Sequence, residues 1–301
     1  MQSGNKKLVV IAGPTAVGKT SLCINLAKQF TTDIISADSR QFYREMTIGT
    51  AKPSIEEMQG IKHHFIDSHS IEQIYDVGKY EIDVLLLLEK LFKEKDMIIL
   101  TGGSGLYIKA VCEGFDEMPE VNEGLREELN LQYSKTGIEL LVTELKELDP
   151  NYALEVDIAN PQRVIRALEV IKSVGKPYSS FRNKTKKVRP FEILKIGLIR
   201  ERVELYGRID RRVDAMLLNG LIEETRSLYN HKDKYALQTV GYQELFDFFD
   251  NKFNYPEAVS LIKRNSRRYA KRQLTWFRKD KEIKWFHPDD EDEIINYIRT
   301  S

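Results

Sequence analysis

The glycine-rich stretch GPTAVGKT, residues 13–20, constrains the fold more than any other feature of the chain. It follows an apolar, β-branched run at residues 8–12 and precedes a helical pattern at residues 19–30, as a P-loop does. In such a loop, backbone N–H groups and the helix N-terminus bind a polyphosphate, the lysine adds a positive charge, and the final hydroxyl can hold Mg²⁺. The sequence therefore predicts a site for a pyrophosphate-like group with magnesium. The pattern does not specify ATP.

Other apolar runs predict a parallel sheet around this loop. They lie at residues 33–37, 97–100 and 191–199, and a long helical pattern covers residues 77–95. Alternating strands and helices favour an open parallel sheet, whose ligands bind at the carboxyl ends of the strands. Three loops are expected to meet at that edge: residues 13–20, 38–43 and 101–107.

The region from residue 119 to residue 189 has a different character. Strand-like runs disappear there, helical patterns dominate, and the segment ends in the basic, turn-rich stretch SVGKPYSSFRNKTKKVRP. We predict an α/β fold: a P-loop NTPase-like parallel sheet core flanked by helices, with a helical insertion domain. The core is assigned to residues 1–118 and 190–301, and the insertion to residues 119–189.

Bulk properties set the broad class. The 301 residues include 46 Lys and Arg against 46 Asp and Glu, so the net charge is zero and does not itself indicate nucleic-acid binding. The two cysteines, Cys23 and Cys112, form no CxxC pair and are expected to be buried side chains in a reducing compartment. No apolar run is long enough for a membrane span. We expect a cytoplasmic protein without a membrane segment and, because no heptad pattern is present, a monomer.

Asp38 is the carboxylate expected at a strand end. Kinases and ATPases with a P-loop usually carry an acidic residue after a second buried strand, where it holds the metal ion. Here the strand at residues 97–100 runs instead into Thr101 and Gly102. Two interpretations of Asp38 stay open from the residues alone: a general base facing the phosphate site, or a helix-capping or turn residue.

A basic segment near the C-terminus, residues 263–284, carries ten lysines and arginines against two acids. Arg264, Arg268 and Arg272 fall on one helical face, and Tyr269 and Trp276 lie within the same segment. Basic side chains with interleaved aromatics favour contact with RNA phosphates and stacked bases. The alternative is a solvated basic face with aromatic core residues. For the shorter basic tail of the insertion, Lys184, Lys186, Lys187 and Arg189, an RNA contact and a solvated loop are equally compatible with the sequence.

His63 and His64 are the one adjacent histidine pair. Neighbouring residues of a strand point to opposite faces, so the two rings would not converge on a metal ion. No cysteine lies nearby. We predict that both are structural.

Several motifs together resemble one family. They are GPTAVGKT, ISADSRQFYREMTIGTAKP, HHFID, GGSGLYIKA, NPQRVIRALEV, VGYQE and AKRQLTWFRKD, and they follow the family's order over nearly the whole chain. This set resembles the bacterial tRNA dimethylallyltransferases, also called IPP transferases. The resemblance implies transfer of a dimethylallyl group from dimethylallyl diphosphate to N6 of adenosine 37, next to the anticodon of tRNAs reading codons that begin with U. It also implies Mg²⁺ as cofactor and no consumption of ATP, although the P-loop is often labelled as ATP-binding.

The same resemblance assigns roles to residues of this chain. Asp38 becomes the general base or the group that orients N6, and Arg208 lies near the leaving group. The remaining assignments follow the motifs: catalysis also to Thr15 and Lys19; diphosphate binding to Gly13, Pro14, Thr15, Ala16, Val17, Gly18, Lys19 and Thr20; Mg²⁺ binding to Thr20; and tRNA binding to Asp38, Ser39, Arg40, Gln41, Ser104, Arg126, Gln162, Arg163, Val164, Ile165, Arg166, Gly241, Lys271, Arg272, Gln273, Thr275, Trp276 and Arg278.

Three departures from the family pattern matter. Ser104 replaces the threonine of the usual GGTGLY motif but keeps its hydroxyl group. The loop at residues 236–239 differs from that of some members, which puts its base contacts in doubt. No cysteine follows Cys112, so we expect none of the C-terminal zinc fingers that some members carry.

Three other functions compete with this one. A small-molecule kinase would explain the P-loop but neither the insertion nor AKRQLTWFR. A prenyltransferase acting on free AMP or ADP would share the P-loop and Asp38 but would need no extended basic surface. A non-catalytic RNA-binding module would not require Gly18, Lys19 and Thr20.

Overall fold

The computed structural model describes residues 6–116, 118–122, 124–182 and 185–301. Lys184 of the basic tail therefore lies outside the described residues. The chain forms two compact units: Met1–Glu113 with Val188–Ser301, and Gly114–Lys187. The inserted unit thus begins and ends within a few residues of the segment at 119–189 that its composition sets apart.

The first unit is built on a parallel sheet. Its described strands are β1 Lys7–Ala12, β2 Ile34–Ser36, β3 His63–His64, β4 Met97–Gly102, β5 Glu192–Leu198 and β6 Lys284–Phe286. Their order across the sheet is β3-β2-β4-β1-β5-β6, and each neighbouring pair is parallel. The predicted parallel sheet is confirmed.

Helices make up most of the remaining regular structure. Those described are α1 Lys19–Gln29, α2 Ile55–Met58, α3 Val77–Leu91, α4 Gly105–Glu113, α5 Leu125–Thr136, α6 Glu139–Leu148, α7 Pro150–Glu155, α8 Pro161–Val174, α9 Arg202–Leu218, α10 Leu221–Ser227, α11 Tyr242–Phe249, α12 Tyr255–Phe277 and α13 Glu291–Thr300. Short 3₁₀ turns lie at Tyr178–Phe181, Tyr229–His231 and Tyr235–Leu237. Among the described helices, none combines the length and the apolar character that crossing a bilayer requires.

The central strand β1 explains why helices cover both faces of the sheet. Alternate residues of a strand point to opposite faces. Val9 and Ile11 pack in one apolar cluster with residues of α1, α9 and α13. Leu8 and Val10 pack in a second cluster with residues of α3 and α4. A strand buried on both faces is apolar throughout, which is what the run at residues 8–12 indicates.

The register of the strands brings three loops to one edge. Ala12 of β1 pairs with Gly102 of β4, and Ser36 of β2 pairs with Thr101 of β4. Beyond these pairs, the N–H of Ala37 donates to the carbonyl of Thr101 at 2.7 Å. The loops at residues 13–20, 38–43 and 101–107 consequently start from adjacent strand ends, as expected for a site at the carboxyl edge.

Two strands were not predicted. β3 has two residues and β6 has three, too few to produce an apolar run. β3 also settles the histidine pair. His64 Nε2 lies 2.8 Å from Asp33 Oδ2, and His63 Nδ1 lies 2.9 Å from the carbonyl of Ile61. The structural interpretation of both histidines is confirmed.

The second unit, Gly114–Lys187, contains α5, α6, α7 and α8, and all regular structure in its described part is helical. Its apolar core is formed by residues spaced at helical intervals on these helices: Leu129, Leu141, Leu145, Val164, Ile165, Ala167 and Leu168. Asn160 caps the N-terminus of α8 by accepting from the N–H of Arg163, and Pro161 occupies its first turn. This unit therefore folds around a core of its own.

Candidate functional site

The P-loop folds as the sequence predicts, between β1 and α1. Gly18 has φ 116° immediately before α1, a left-handed conformation that favours glycine. Ala16 also lies in the left-handed region, with φ 63°, where a residue with a side chain is strained by about 1–3 kcal/mol. The surrounding structure must therefore stabilise a backbone conformation that is unfavourable for Ala16.

Lys19 bends back over the loop that precedes it. Its Nζ donates to the carbonyls of Gly13 and Pro14 at 2.9 and 2.8 Å. Desolvation of the ammonium group lowers the pKa of Lys19 to about 8; the negative charge of Asp38 opposes this shift, and the positive charge of Arg212 adds to it. At neutral pH Lys19 therefore remains mostly charged. A bound phosphate would replace the two carbonyls as the acceptor of its hydrogen bonds.

Arginines from outside the loop reinforce its positive charge. Arg208 Nε donates to the carbonyl of Ala16 at 2.7 Å, and Arg212 Nη1 donates to Thr15 Oγ1 at 3.2 Å. Arg200 Nε donates to the carbonyl of Val17 at 2.8 Å, but acidic partners on its other side partly neutralise it. Burial lowers the pKa of Arg212, and the adjacent Arg208 adds to the shift. Such a cluster is suited to a polyanion.

Arg212 was missed at the sequence level, and the signal was present. It lies four residues after Arg208 in α9, and residues four apart share one face of a helix. Once Arg208 is assigned to the loop, Arg212 should reach it too.

Thr20 occupies the first turn of α1 and is exposed. A hydroxyl oxygen beside a bound diphosphate is a ligand that Mg²⁺ accepts, so the predicted metal position fits the residues present. The cluster of Glu113, Asp280 and Glu282 fits a cation less well. Lys195 Nζ lies 3.2, 2.7 and 2.7 Å from these three carboxylates, so a protein cation already pairs with all three.

Asp38 follows β2 at the same edge. Its Oδ1 accepts from the N–H of Arg40 at 3.0 Å, so the turn interpretation of the sequence applies to this atom. The carboxylate also lies close enough to Lys19 and Arg212 for its charge to act on the pKa of each. Asp38 is therefore both a turn residue and a half-buried carboxylate whose charge acts on cations of the P-loop site.

The residues around Asp38 tie its loop to the third loop. Ser104 Oγ accepts from the N–H of Ser39 at 3.0 Å and lies 3.2 Å from Ser39 Oγ. Gln41 donates to the carbonyls of Thr50 and Ala51, both at 3.2 Å. The hydroxyl that Ser104 shares with the family's usual threonine thus has a structural role in this chain.

Arg40 points away from these contacts toward an aromatic residue. Its Nη1 donates to the carbonyl of Tyr235 at 3.1 Å, and its guanidinium lies 4.9 Å from the centre of the Tyr235 ring. Tyr235 is 66% exposed. An exposed aromatic ring therefore lies beside the Asp38 loop, immediately before the loop at residues 236–239 that departs from some family members.

The helix α12 presents the predicted basic surface. An open depression of about 490 Å³ on it is lined by Arg268, Lys271, Arg272, Thr275, Trp276 and Lys279. Arg278 is exposed at the end of this helix. Four of the predicted tRNA-binding residues, Lys271, Arg272, Thr275 and Trp276, therefore share one surface.

Gln273 departs from its predicted role. It is 6% exposed; its Oε1 accepts from the N–H of Thr15 at 2.9 Å, and its Nε2 donates to the carbonyl of Gly103 at 3.0 Å. Because its amide is buried between two loops, the expected direct contact with tRNA is corrected to a contact within the protein.

The predicted residues of the second unit form a separate group. Arg126 donates two hydrogen bonds to Glu169 at 3.1 and 2.8 Å, and Arg166 donates a third at 2.9 Å. Burial alone would raise the pKa of Glu169, but these hydrogen bonds outweigh it and lower the pKa. Two side chains of the predicted set are unsuited to RNA contact: Val164 and Ile165 are 0% and 1% exposed and pack in the apolar core. Their assignment is wrong because the inner face of an amphipathic helix packs inward, whereas Gln162 and Arg163 on the same helix are exposed.

Two smaller predictions are also clarified. Gly241 is buried with φ 98°, and its N–H donates to Glu244 Oε2 at 2.7 Å, so it begins α11. Arg189, from the basic tail, belongs to the first unit, where its Nη2 donates to Glu81 Oε1 and to the carbonyl of Ala110 at 2.8 and 2.7 Å. Neither residue offers these donors to RNA.

Comparison with known proteins gives a consistent result. Residues 41–280 match the IPP transferase family. The tRNA dimethylallyltransferase of Cytophaga hutchinsonii is 50% identical over 294 residues, covering 98% of this chain and 97% of that protein. The crystal structure of the tRNA isopentenylpyrophosphate transferase of Bacillus halodurans has a TM-score of 0.72 at 40% identity, covering 98% of this chain and 96% of that one. The crystal structure of a eukaryotic dimethylallyltransferase acting on tRNA has a TM-score of 0.75 at 27% identity, covering 90% and 69%.

Proposed function

The chain belongs to the IPP transferase family, and we propose that it transfers a dimethylallyl group from dimethylallyl diphosphate to N6 of adenosine 37 of tRNA. The products are N6-(dimethylallyl)adenosine, next to the anticodon of tRNAs reading codons that begin with U, and diphosphate. One observation carries the proposal: at one edge of the sheet, the carboxylate of Asp38 faces a P-loop surrounded by Lys19, Arg208 and Arg212.

The cation cluster suits the leaving group. As the allylic C–O bond breaks, negative charge accumulates on the diphosphate, and positive groups already in place stabilise it. Backbone N–H groups of residues 13–20, Lys19 and Arg208 would bind the diphosphate, and Arg212 would hold Thr15 in position. Mg²⁺ bound at the Thr20 hydroxyl would neutralise further charge on the phosphate oxygens.

Asp38 suits the nucleophile. An exocyclic adenine amine is a weak nucleophile because its lone pair is delocalised into the ring. A carboxylate that accepts a hydrogen bond from N6 orients the amine and takes up its proton as the new N–C bond forms. The electron pair of the broken C–O bond leaves with diphosphate, so Asp38 and the P-loop serve opposite ends of one displacement.

The surface of α12 suits the RNA. The adenine must leave its stack to reach Asp38, at a cost of a few kcal/mol, which phosphate contacts and stacking on aromatics offset. We propose that Lys271, Arg272 and Arg278 contact phosphates and that Trp276 stacks on a base. Ser39, Arg40, Gln41 and Ser104 would surround the flipped adenosine, and Arg126, Gln162, Arg163 and Arg166 of the inserted unit would contact the anticodon stem. We further propose a cytoplasmic monomer that needs no zinc.

A transfer assay tests the proposal. The protein is incubated with labelled dimethylallyl diphosphate, Mg²⁺ and either unmodified tRNA or free AMP, without ATP. Label on tRNA and none on AMP is the expected result. Label on AMP alone would reassign the chain to prenylation of free nucleotides, and turnover of added ATP with no transfer would reassign the P-loop to an ordinary nucleotide site.

A further inference from the structure

Gln273 is the one buried polar side chain that joins the RNA-facing helix α12 to the P-loop among the described hydrogen bonds. Its two amide atoms bind different loops: Oε1 accepts from Thr15 of the P-loop, and Nε2 donates to the carbonyl of Gly103 after β4. The amide lies so close to Gly103 that a Cβ there would come within 2.2 Å of Nε2. The helix is therefore fitted against both loops at this point.

The outer face of the same helical turn carries the basic depression. Arg272 precedes Gln273, and Trp276 lies three residues beyond it. The Trp276 ring also abuts the third loop, since a Cβ on Gly105 would lie 2.1 Å from it. RNA bound on the outer face would consequently contact Arg272 and Trp276, and Gln273, which lies between them in the helix, contacts the P-loop.

The P-loop itself has a reason to need such a contact. Ala16 is held at φ 63°. Among the hydrogen bonds around it, the N–H of Thr15 donates to Gln273 Oε1 and Arg208 Nε donates to the carbonyl of Ala16. A strained conformation persists only where its surroundings hold it. Removing the Gln273 contact would leave the N–H of Thr15 without this acceptor, although Arg212 would still donate to the Thr15 hydroxyl.

We propose that Gln273 is a positioning residue that couples the two substrates: RNA bound on α12 tightens binding of the prenyl diphosphate at the P-loop through the contacts of Gln273 with Thr15 and Gly103. Coupling is carried by packed side chains and hydrogen bonds that connect two sites. It is reciprocal, so the prenyl diphosphate must tighten RNA binding by the same factor. This inference rests on the proposed function of both surfaces.

The test uses dimethylallyl S-thiolodiphosphate, an analogue in which sulfur replaces the oxygen between the allyl carbon and phosphorus. Its dissociation constant is measured with and without a saturating concentration of the unmodified anticodon stem-loop. In the unaltered protein we expect the RNA to tighten this binding by about tenfold, within the usual range of coupling between sites. The variant Gln273→Leu, which loses both contacts, is expected to bring the ratio close to one while its RNA affinity in the absence of the analogue stays within about twofold.

Two further variants separate coupling from folding and from RNA affinity. Gln273→Glu keeps the size and the acceptor for Thr15 but loses the donor to Gly103, so it should give an intermediate ratio, and its thermal midpoint reports what a buried carboxylate against that carbonyl costs in stability. Arg272→Ala, the neighbouring residue on the outer face, should weaken RNA binding yet keep the full ratio once RNA is saturating.

The outcomes are distinct from a failure of the proposed function. A full ratio in Gln273→Leu, or a ratio of one in the unaltered protein, would overturn the inference while label transfer to tRNA still proceeds. Absence of label transfer by the unaltered protein would overturn the proposed function itself.

Discussion

At the scale of single residues, the account depends on two ionisable groups, Asp38 and Lys19. Desolvation lowers the pKa of Lys19 to about 8, and the negative charge of the Asp38 carboxylate partly offsets that shift. Lys19 Nζ donates to the carbonyls of Gly13 and Pro14, so a bound diphosphate would take the place of these carbonyls and leave the Asp38 carboxylate for the amine.

Substitution of Asp38 by Asn tests the carboxylate. The amide keeps the size and the acceptor for the N–H of Arg40 but cannot take up a proton. We expect kcat to fall by about 10²–10⁴-fold, the usual contribution of a general base, while the Kd for tRNA changes by less than about threefold. Asp96→Asn, an exposed aspartate paired with Lys6 at the opposite edge of the sheet, is the matched control. Unchanged turnover in Asp38→Asn would exclude the role.

The pKa of Lys19 predicts a pH dependence. Binding of the diphosphate needs the charged ammonium, which is lost as the pH rises through about 8. The value of kcat/KM for dimethylallyl diphosphate reports the free enzyme and should fall roughly tenfold per pH unit above that point. Measurements from pH 7 to 9.5 would show this descending limb. In Lys19→Arg the guanidinium stays charged, so the limb should disappear; its persistence would assign the titration to another group.

At the scale of elements, close backbone approaches between loops hold the site together. β4 ends at Gly102, where a Cβ would lie 2.3 Å from the carbonyl oxygen of Ala37 and 2.5 Å from its carbon. Both atoms are backbone, so no rotamer change relieves the contact. Gly102 is therefore needed for the ends of β2 and β4 to approach each other.

Gly102→Ala should consequently destabilise the protein. Overpacking against rigid atoms costs about 1–3 kcal/mol, which a thermal or denaturant unfolding curve would resolve. Gly78→Ala in α3 is the control, because a Cβ there meets no atom closer than 3.5 Å. Replacing a helical glycine by alanine is neutral or stabilising by up to about 1 kcal/mol. Equal stability of the two variants would contradict the predicted clash.

The helix α12 carries the prediction for RNA. Arg272→Ala removes one exposed positive charge from the basic depression, so binding of tRNA should weaken and the slope of log K against log salt should flatten by about one. Arg299→Ala is the matched control, because Arg299 lies on α13, whose end contacts Lys7 at the opposite edge of the sheet. An unchanged salt slope in Arg272→Ala would remove this residue from the phosphate contacts.

At the scale of the whole molecule, the sequence predicted the sheet core better than its margins. The P-loop and the apolar runs of β1, β4 and β5 are continuous signals, and the convergence of three loops follows from parallel strands. β6 could not be predicted because its three residues, Lys284–Phe286, begin in a basic stretch and pair only through a partner distant in sequence.

The role of a site residue was predictable where the residue's own type determines its chemistry. It was less predictable where the packing of neighbouring residues determines whether the side chain is exposed. Asp38 and Lys19 belong to the first kind. Gln273, Val164 and Ile165 belong to the second, since a motif that contacts RNA also contains the residues that pack behind the contact. Burial separates the two groups, and burial depends on tertiary structure.

The most direct test of the account is to identify the modified nucleoside. Unmodified tRNA that reads codons beginning with U is incubated with the protein, dimethylallyl diphosphate and Mg²⁺, then digested and analysed by mass spectrometry. The control is the same tRNA with guanosine in place of adenosine 37. The account predicts N6-(dimethylallyl)adenosine from the first tRNA alone. Equal modification of both, or of neither, would contradict it.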